Sequence, residues 1–188
     1  MIELLRHPSA MKKLQNEVRE LVQGKAEVTE DDLGYMLYLK AVIKETLRLH
    51  PALPLLVPPE AIEDVKLLDY HIPAKTQVLI NAWAIARDPL SWDDPDEYQP
   101  ERFLNSDIDF RGLNFELILF RGGRRGYPGI TFAIMANELA LAKLVHKFNF
   151  ASPEGIKKDG LDMTECTGIH NRTMYLQTYM CSKKVLKY

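Results

Sequence analysis

Apolar residues recur at helical spacing in three parts of this 188-residue chain. The first part follows Pro8, a residue that suits the first turn of a helix. Its apolar stripe consists of Met11, Leu14, Val18 and Leu21. The second part covers residues 33–49 and the third covers residues 130–148. We expect three helices, of which the third is mostly apolar and therefore nearly buried.

Local signals fix the ends of the second helix. Thr29 can cap its start, with Asp32 three residues later as the partner in a capping box. Pro51 disfavours helical backbone at His50 and so ends the helix there.

Short strands are predicted between and after the helices. Residues 65–68 and 78–80 are rich in β-branched and aliphatic side chains, and residues 70–75 are expected to turn between them. Residues 174–180 alternate enough to form a final strand. The pattern therefore predicts an α+β fold that is mainly α.

Composition narrows the class of protein. The chain is 46% hydrophobic and 27% charged with a net charge of −2, as in ordinary globular domains, and its length suits one domain. With no basic excess, nucleic acid is not an expected partner. We find neither a signal peptide nor an apolar run long enough to span a bilayer. Cys166 and Cys181 are too few for a metal cluster, and five scattered histidines are expected to be structural or solvent-facing.

A glycine-rich loop directly precedes the third helix. Residues 120–129 read F-R-G-G-R-R-G-Y-P-G. Glycines let a backbone take positive φ and approach a flat cofactor, although an ordinary glycine-rich turn has the same composition. The loop resembles the haem-binding loop of cytochrome P450 monooxygenases, F-x-x-G-x-R-x-C-x-G. The residues that fall on this pattern are Phe120, Gly123, Arg125 and Gly129.

Tyr127 stands where that family has its cysteine ligand to haem iron. A phenol oxygen lies roughly 4 Å further from its Cα than a thiol sulfur. Ionising a free phenol at neutral pH costs about 4 kcal/mol, against about 2 kcal/mol for a thiol. Ferric iron can offset this cost, because tyrosine ligates haem in catalases, but a phenolate donates less electron density to iron–oxygen intermediates. Arg121, where the family usually has glycine, and Leu119, where it usually has proline, are two further departures.

Three other motifs resemble the same family. Glu45 and Arg48 form an E-x-x-R pair on one helical face, which by itself also fits a solvated surface pair. Residues 100–103 read P-E-R-F, and the resemblance implies that Arg102 joins Glu45 and Arg48 in a buried charge triad. Residues 81–89 are close to N-x-W-A-I-x-R-D-P. Arg87 in this run is a candidate for contact with a haem propionate or, equally, a loop arginine paired with Asp88.

The order of these motifs identifies the chain as similar to the C-terminal portion of plant microsomal P450s, enzymes of secondary metabolism. The similarity runs from Leu4 to about Gln177 and includes residues 161–165. Residues 1–188 are then one partial P450 domain with several helices, small β-sheets and a haem-binding loop before a long helix. The central oxygen-activating helix and the N-terminal membrane anchor are expected to lie before Met1. The family resides on the cytoplasmic face of the endoplasmic reticulum.

The resemblance also implies a cofactor and partners. Haem is the cofactor, with Arg124 and Arg125 serving both propionate binding and docking of the acidic surface of NADPH–cytochrome P450 reductase. A small apolar metabolite is the substrate. The resemblance places four residues in the substrate pocket, although plain packing explains them equally well. They are Leu53, Leu55, Leu56 and Val57.

Three functions remain in competition at this point. The chain is part of a haem-thiolate monooxygenase, or a non-catalytic fragment, or a pseudoenzyme that binds haem or another protein. The replacement of cysteine by Tyr127 favours the inactive fragment.

Overall fold

Five helices and two small sheets make up the described fold. The computed structural model describes residues 1–111, 113–123 and 126–150 and the backbone of Cys181–Lys183. The helices are α1 (Ile2–Arg6), α2 (Pro8–Leu21), α3 (Leu37–Leu49), α4 (Ala82–Ile85) and α5 (Ile130–Lys147). Three 3₁₀ turns cover Glu30–Tyr35, Pro100–Phe103 and Phe115–Leu117. The strands are β1 (Val65–Leu67), β2 (Tyr70–Ile72), β3 (Phe148–Phe150) and β4 (Cys181–Lys183).

The core lies where α2, α3 and α5 meet. Leu14 and Val18 of α2, Leu39 of α3 and Val145 of α5 are all completely buried. Arg19 of α2 ties the end of α5 in place, because its Nε donates to the carbonyl of Val145 at 3.1 Å. The apolar stripe predicted for α2 is confirmed for Met11, Leu14 and Val18, whereas Leu21 at the end of the helix is 42% exposed.

The predicted start of the second helix was wrong. A 3₁₀ turn occupies Glu30–Tyr35, Met36 leaves helical geometry at φ −88° and ψ 80°, and α3 begins at Leu37. The capping box of Thr29 and Asp32 is present, but it caps the 3₁₀ turn. Glu17 of α2 caps α3 instead. Its carboxylate accepts hydrogen bonds from the backbone N–H groups of Tyr38 and Leu39 at 2.7 and 2.8 Å.

The predicted turn and second strand after Val65 were also wrong. β1 pairs antiparallel with β2, so the chain already reverses at Leu68 and Asp69. Leu68 has φ +53°, as a two-residue hairpin turn requires. Residues 78–80 form no strand, and Gln77 makes only an isolated bridge to Glu60. The sequence pattern failed here because three-residue strands are too short to show a clear alternation.

The expectation that α5 is nearly buried was wrong for one face. Ile134, Ala142 and Val145 pack into the core, but Phe132 is 80% exposed and Met135 and Leu144 are each 41% exposed. At the end of α5, β3 pairs antiparallel with β4.

The predicted features at residues 161–165, 166 and 174–180 lie outside the described residues. In the part of the chain that the structure describes, no helix combines the length and apolar character needed to cross a bilayer.

Candidate functional site

The glycine-rich loop folds back on itself just before α5. The N–H of Tyr127 donates to the carbonyl of Phe120 at 3.0 Å, and the N–H of Gly126 donates to the carbonyl of Gly123 at 3.1 Å. The Phe120 ring packs edge-on against Phe110 and stacks on Tyr127, with ring centroids 6.3 Å apart in the stacked pair. These contacts give the loop a defined shape, and Gly129 is the N-cap of α5.

Two residues of the loop adopt left-handed backbone conformations. Gly123 has φ +71° and Arg121 has φ +62°. Glycine takes such angles without steric penalty, whereas a residue with a Cβ pays roughly 1–2 kcal/mol. The departure from glycine at position 121 therefore falls on a position where the backbone favours glycine.

The side chain of Tyr127 lies along the loop beside Gly129. A Cβ placed on Gly129 would lie 3.0 Å from Cε1 and 3.3 Å from the phenol oxygen of Tyr127. The Tyr127 residue is nevertheless 57% exposed. The phenol oxygen thus lies close to the first turn of α5.

The residue at the ligand position does not fit a thiolate-ligated haem, because Tyr127 carries a phenol in place of a thiol. The candidate residues Arg124 and Arg125, like Cys166, lie outside the described residues. The backbone of Cys181 pairs with Phe150, just beyond the opposite end of α5 from Tyr127. A helix rises about 1.5 Å per residue, so α5 extends roughly 27 Å from the loop to the start of β3, the strand with which Cys181 pairs.

Glu45, Arg48 and Arg102 meet in a buried cluster, here named the charge triad. Arg48 donates from Nε and Nη2 to the two oxygens of Glu45 at 2.8 and 2.9 Å. Arg102 donates from Nε to Glu45 at 3.2 Å. Glu45 and Arg48 are fully buried, and the side chain of Arg102 is 12% exposed.

The charge triad connects α3 to the irregular segment before the loop. Arg48 also donates to the carbonyls of Ala86 and Pro95, both at 2.7 Å, and the N–H of Gln99 donates to Glu45 at 2.8 Å. The triad arginines also lie close to the Trp92 ring, with guanidinium carbons 5.1 and 5.8 Å from its centroid. The paired charges and the backbone carbonyls together satisfy the buried guanidinium of Arg48. The role of the cluster is structural support.

Arg87 contacts Leu49, Asp96 and Trp83. Its Nη2 donates to the carbonyl of Leu49 at 2.6 Å, and its Nε lies 3.3 Å from a carboxylate oxygen of Asp96. Its guanidinium stacks over the Trp83 ring at 4.2 Å. The sequence offered Asp88 as the ion partner, whereas the structure gives Arg87 an ion pair with Asp96.

The four apolar candidates after Pro51 differ in their environments. Leu56 is buried and has φ +53°, whereas Leu55 and Val57 are 41% and 56% exposed. Leu53 is partly buried. Leu56 is therefore a packed residue, whereas Leu55 and Val57 are in contact with solvent.

Sequence reasoning missed a second polar cluster, at the N-terminal end of the fold. Nε2 of His50 lies 2.8 Å from Glu3. Burial works to raise the pKa of Glu3, but His50, Arg6 and His7 together hold that pKa below its ordinary value. The His7 ring also stacks on Tyr98 at 4.9 Å. No spacing in the sequence connects Glu3 with His50, because the two come together only through packing.

Comparison with known proteins settles the family. A family model described as Cytochrome P450 matches residues 1–176. The chain belongs to the cytochrome P450 family. Haem is the cofactor of that family, and the predicted fold class is confirmed, since the chain superimposes on solved P450 structures. A zebrafish cytochrome P450 bound to progesterone matches with a TM-score of 0.84 and 28% identity, over 97% of this chain and 40% of that one.

Plant P450s are similar in sequence. Cytochrome P450 71A4 of Solanum melongena is 68% identical over 92% of this chain, which covers 34% of that protein. Psoralen synthase of Pastinaca sativa is 59% identical over 88% of this chain and 35% of that protein. The chain therefore spans about a third of the length of the curated relatives it matches.

Proposed function

We propose that this chain keeps the scaffold of a P450 monooxygenase but is not itself a competent monooxygenase. Tyr127 at the ligand position is the observation that carries this proposal. Haem in this family supplies oxygen activation when a thiolate holds its iron. A phenol at that position leaves the described residues without the electron donor on which such chemistry depends.

The supporting parts of the loop have changed along with the ligand. Arg121 adopts φ +62°, a conformation that strains any residue except glycine. The Tyr127 ring stacks on Phe120 and lies beside Gly129. The charge triad is intact, so the changes concern the ligand loop more than the scaffold.

The ancestral activity that we infer is oxygenation of a small apolar plant metabolite, driven by NADPH through P450 reductase. The names of relatives support this inference, because psoralen synthase and norfluorocurarine oxidase are enzymes that act on plant metabolites. In such an enzyme Arg124 and Arg125 would serve the propionates or the reductase surface.

A second candidate function is haem binding without oxygenation. The 57% exposure of the Tyr127 residue favours it, since a tyrosine oxygen can ligate ferric haem iron. Phe120, Gly123 and Gly129 would then form the surface against the porphyrin. This function makes the chain a haem-binding pseudoenzyme.

Haemin titration of the purified chain tests both functions. For the inactive fragment we expect no saturable change in the Soret band and no thiolate-type red shift of the ferrous–CO complex. A saturable ferric–phenolate spectrum that is lost in Tyr127→Phe would support the pseudoenzyme. A thiolate-type spectrum or substrate turnover in the parent chain would refute the proposal.

Tyr127→Cys separates loss of the ligand from other defects. If the ligand alone limits function, this variant binds haem with a thiolate-type spectrum. We expect no full recovery, because the strained Arg121 remains. The matched variant Tyr127→Ser removes the phenol without supplying sulfur and controls for loosening of the loop.

A further inference from the structure

A cavity of about 300 Å³, here named the Glu138 cavity, lies between α3, α5 and the irregular segment before the loop. Its apolar wall consists of Phe110, Ile130, Ile134 and Met135. This volume and an apolar wall are typical of sites for small molecules, which also need a few polar groups to orient the ligand. Which ligand fits then depends on the polar groups that line the same cavity.

Glu138 of α5 is the most deeply buried charged residue on the cavity wall. It is only 8% exposed. Within residues 1–111, 113–123 and 126–150, no group donates a hydrogen bond to its carboxylate or forms an ion pair with it. Burial raises the pKa of Glu138, and the charges of Lys40 and Lys44 only partly oppose this rise. A buried carboxylate without a donor costs free energy, so a ligand that donates a hydrogen bond to it would be bound favourably.

Lys40 and Lys44 lie about one helical turn apart on α3 and line the same cavity. Lys44 donates from Nζ to the carbonyl of Ile108 at 2.7 Å, and Lys40 donates from Nζ to the carbonyl of Gly34 at 3.3 Å. An ammonium group has three donors, so each lysine keeps donors for a further acceptor. The two side chains therefore offer a positive site that suits a carboxylate.

The other two charges on the cavity wall pair with each other. Nε of Arg111 lies 3.2 Å from a carboxylate oxygen of Asp109. Two ammonium groups and the carboxylate of Glu138 remain, so a ligand with a single negative charge balances the cavity. A carboxylic acid that also carries a hydroxyl group meets both demands. An aromatic ring between the two groups would cover the apolar wall and lose little conformational entropy on binding.

We propose that the Glu138 cavity binds a small aromatic acid that carries a hydroxyl group. The carboxylate of the ligand accepts hydrogen bonds from Nζ of Lys40 and Lys44, and its hydroxyl donates to the carboxylate of Glu138. Its ring packs on the apolar wall. An apolar amine would also pair with Glu138, but it would meet the two lysines as like charges. None of the residues that line the cavity belongs to the glycine-rich loop at residues 120–129, so the site does not depend on haem.

Isothermal titration calorimetry of the 188-residue chain with three matched probes tests the proposal. The probe para-hydroxyphenylacetate carries both polar groups, phenylacetate lacks the hydroxyl, and para-hydroxybenzyl alcohol lacks the carboxylate. We expect one-to-one binding of para-hydroxyphenylacetate and affinities on the order of tenfold lower for the other two probes, since each loses a hydrogen bond to a charged group. Equal affinities of the three probes would overturn the proposal, as would the absence of saturable binding of para-hydroxyphenylacetate.

Variants of the chain locate the two polar contacts. Glu138→Leu removes the acceptor, so the roughly tenfold preference for para-hydroxyphenylacetate over phenylacetate should disappear. Lys40→Met removes one cation and should weaken the binding of both acids several-fold, while the affinity for para-hydroxybenzyl alcohol stays the same. The matched control is Lys12→Met, at an exposed position of α2 outside the cavity, and it should change none of the affinities. Equal effects of the two lysine variants would contradict the proposed location.

Melting temperatures guard against loss of folding in these variants. Glu138→Leu replaces a buried carboxylate that has no donor among the described residues, so we expect it to keep the Tm of the parent. A folded Glu138→Leu chain that still prefers the hydroxylated acid would refute the site. If Glu138→Leu lowers the Tm, Glu138→Gln replaces it, and the preference should then fall to roughly threefold because the acceptor is no longer charged. An undiminished preference in Glu138→Gln would equally refute the site. All titrations are done without haem, so failure of this proposal is distinguishable from failure of the proposed function.

Discussion

Glu45→Gln removes a negative charge that two arginines share inside the protein. The oxygens of Glu45 accept from Nε and Nη2 of Arg48, from Nε of Arg102 and from the N–H of Gln99. Glutamine offers only one oxygen to these donors, and its amide NH₂ would face a guanidinium. The variant therefore leaves Arg48 charged and fully buried without its counter-ion.

The expected cost follows from what Arg48 retains. Loss of one partner from a buried ion pair typically costs 3–5 kcal/mol. Arg48 keeps its hydrogen bonds to the carbonyls of Ala86, Pro95 and Glu97, which offset part of the loss. We therefore expect a loss of about 3 kcal/mol in the free energy of unfolding. For a chain of this size that corresponds to a fall of roughly 6–12 °C in Tm.

Urea unfolding followed by tryptophan fluorescence measures this change. Trp92 is 4% exposed and its ring lies 5.1 and 5.8 Å from the guanidinium carbons of the two triad arginines, so its share of the emission, beside that of Trp83, reports on the cluster. Glu20→Gln on the exposed side of α2 makes the same chemical change outside the cluster and should cost less than about 0.5 kcal/mol. Arg102→Gln should cost about 1–2 kcal/mol, because Arg102 is partly exposed. If Glu45→Gln costs no more than Glu20→Gln, the reasoning about the charge triad is wrong.

Three further predictions concern the loop and the first capping box. Arg121→Gly should raise the free energy of unfolding in urea by about 1 kcal/mol, because glycine removes the backbone strain of a residue with a Cβ at φ +62°. A destabilised variant would contradict this reasoning. Gly129→Ala should lower the free energy of unfolding by about 0.5–1 kcal/mol more in the parent than in a Tyr127→Ala background. The reason is that the new Cβ would lie 3.0 Å from the Tyr127 ring. If the effects of the two substitutions are additive, the contact is absent. Hydrogen bonds from Lys25 and from the capping box lower the pKa of Asp32 from 3.8 to about 2. Because its pKa is depressed, ionised Asp32 stabilises the fold above about pH 4, and this contribution is lost as the pH falls toward 2. The difference in free energy of unfolding between the parent and Asp32→Asn should therefore be constant near neutral pH and shrink between about pH 4 and pH 2.

The sequence predicted the membership of the charge triad but not its surroundings. Glu45 and Arg48 share a helical face by spacing alone, while Arg102 joined them only through the resemblance of its motif. The carbonyls of Ala86 and Pro95 and the N–H of Gln99 carry no side-chain signal, so the sequence could not show that they complete the cluster. Backbone partners of this kind depend on how an irregular segment folds.

The errors in the helices and strands have equally specific causes. Helical spacing continues through residues 33–36, but the cap that starts α3 comes from Glu17 on another helix, 21 residues before Tyr38. The mostly apolar composition of α5 led to the expectation that it is nearly buried, although only part of its surface packs into the core with α2 and α3. The position of Tyr127 in the loop motif was predicted, whereas the direction of its ring beside Gly129 required the structure.

The packing of α2 against α5 has a consequence for how this protein is made. Arg19 bonds to the carbonyl of Val145, 126 residues further along the chain. During translation at about 5–20 residues per second, α1 to α3 therefore leave the ribosome several seconds before the helix that covers them exists. In that interval their apolar faces are open to chaperones and to neighbouring nascent chains, so the yield of folded protein should depend on how fast codons between α3 and α5 are read.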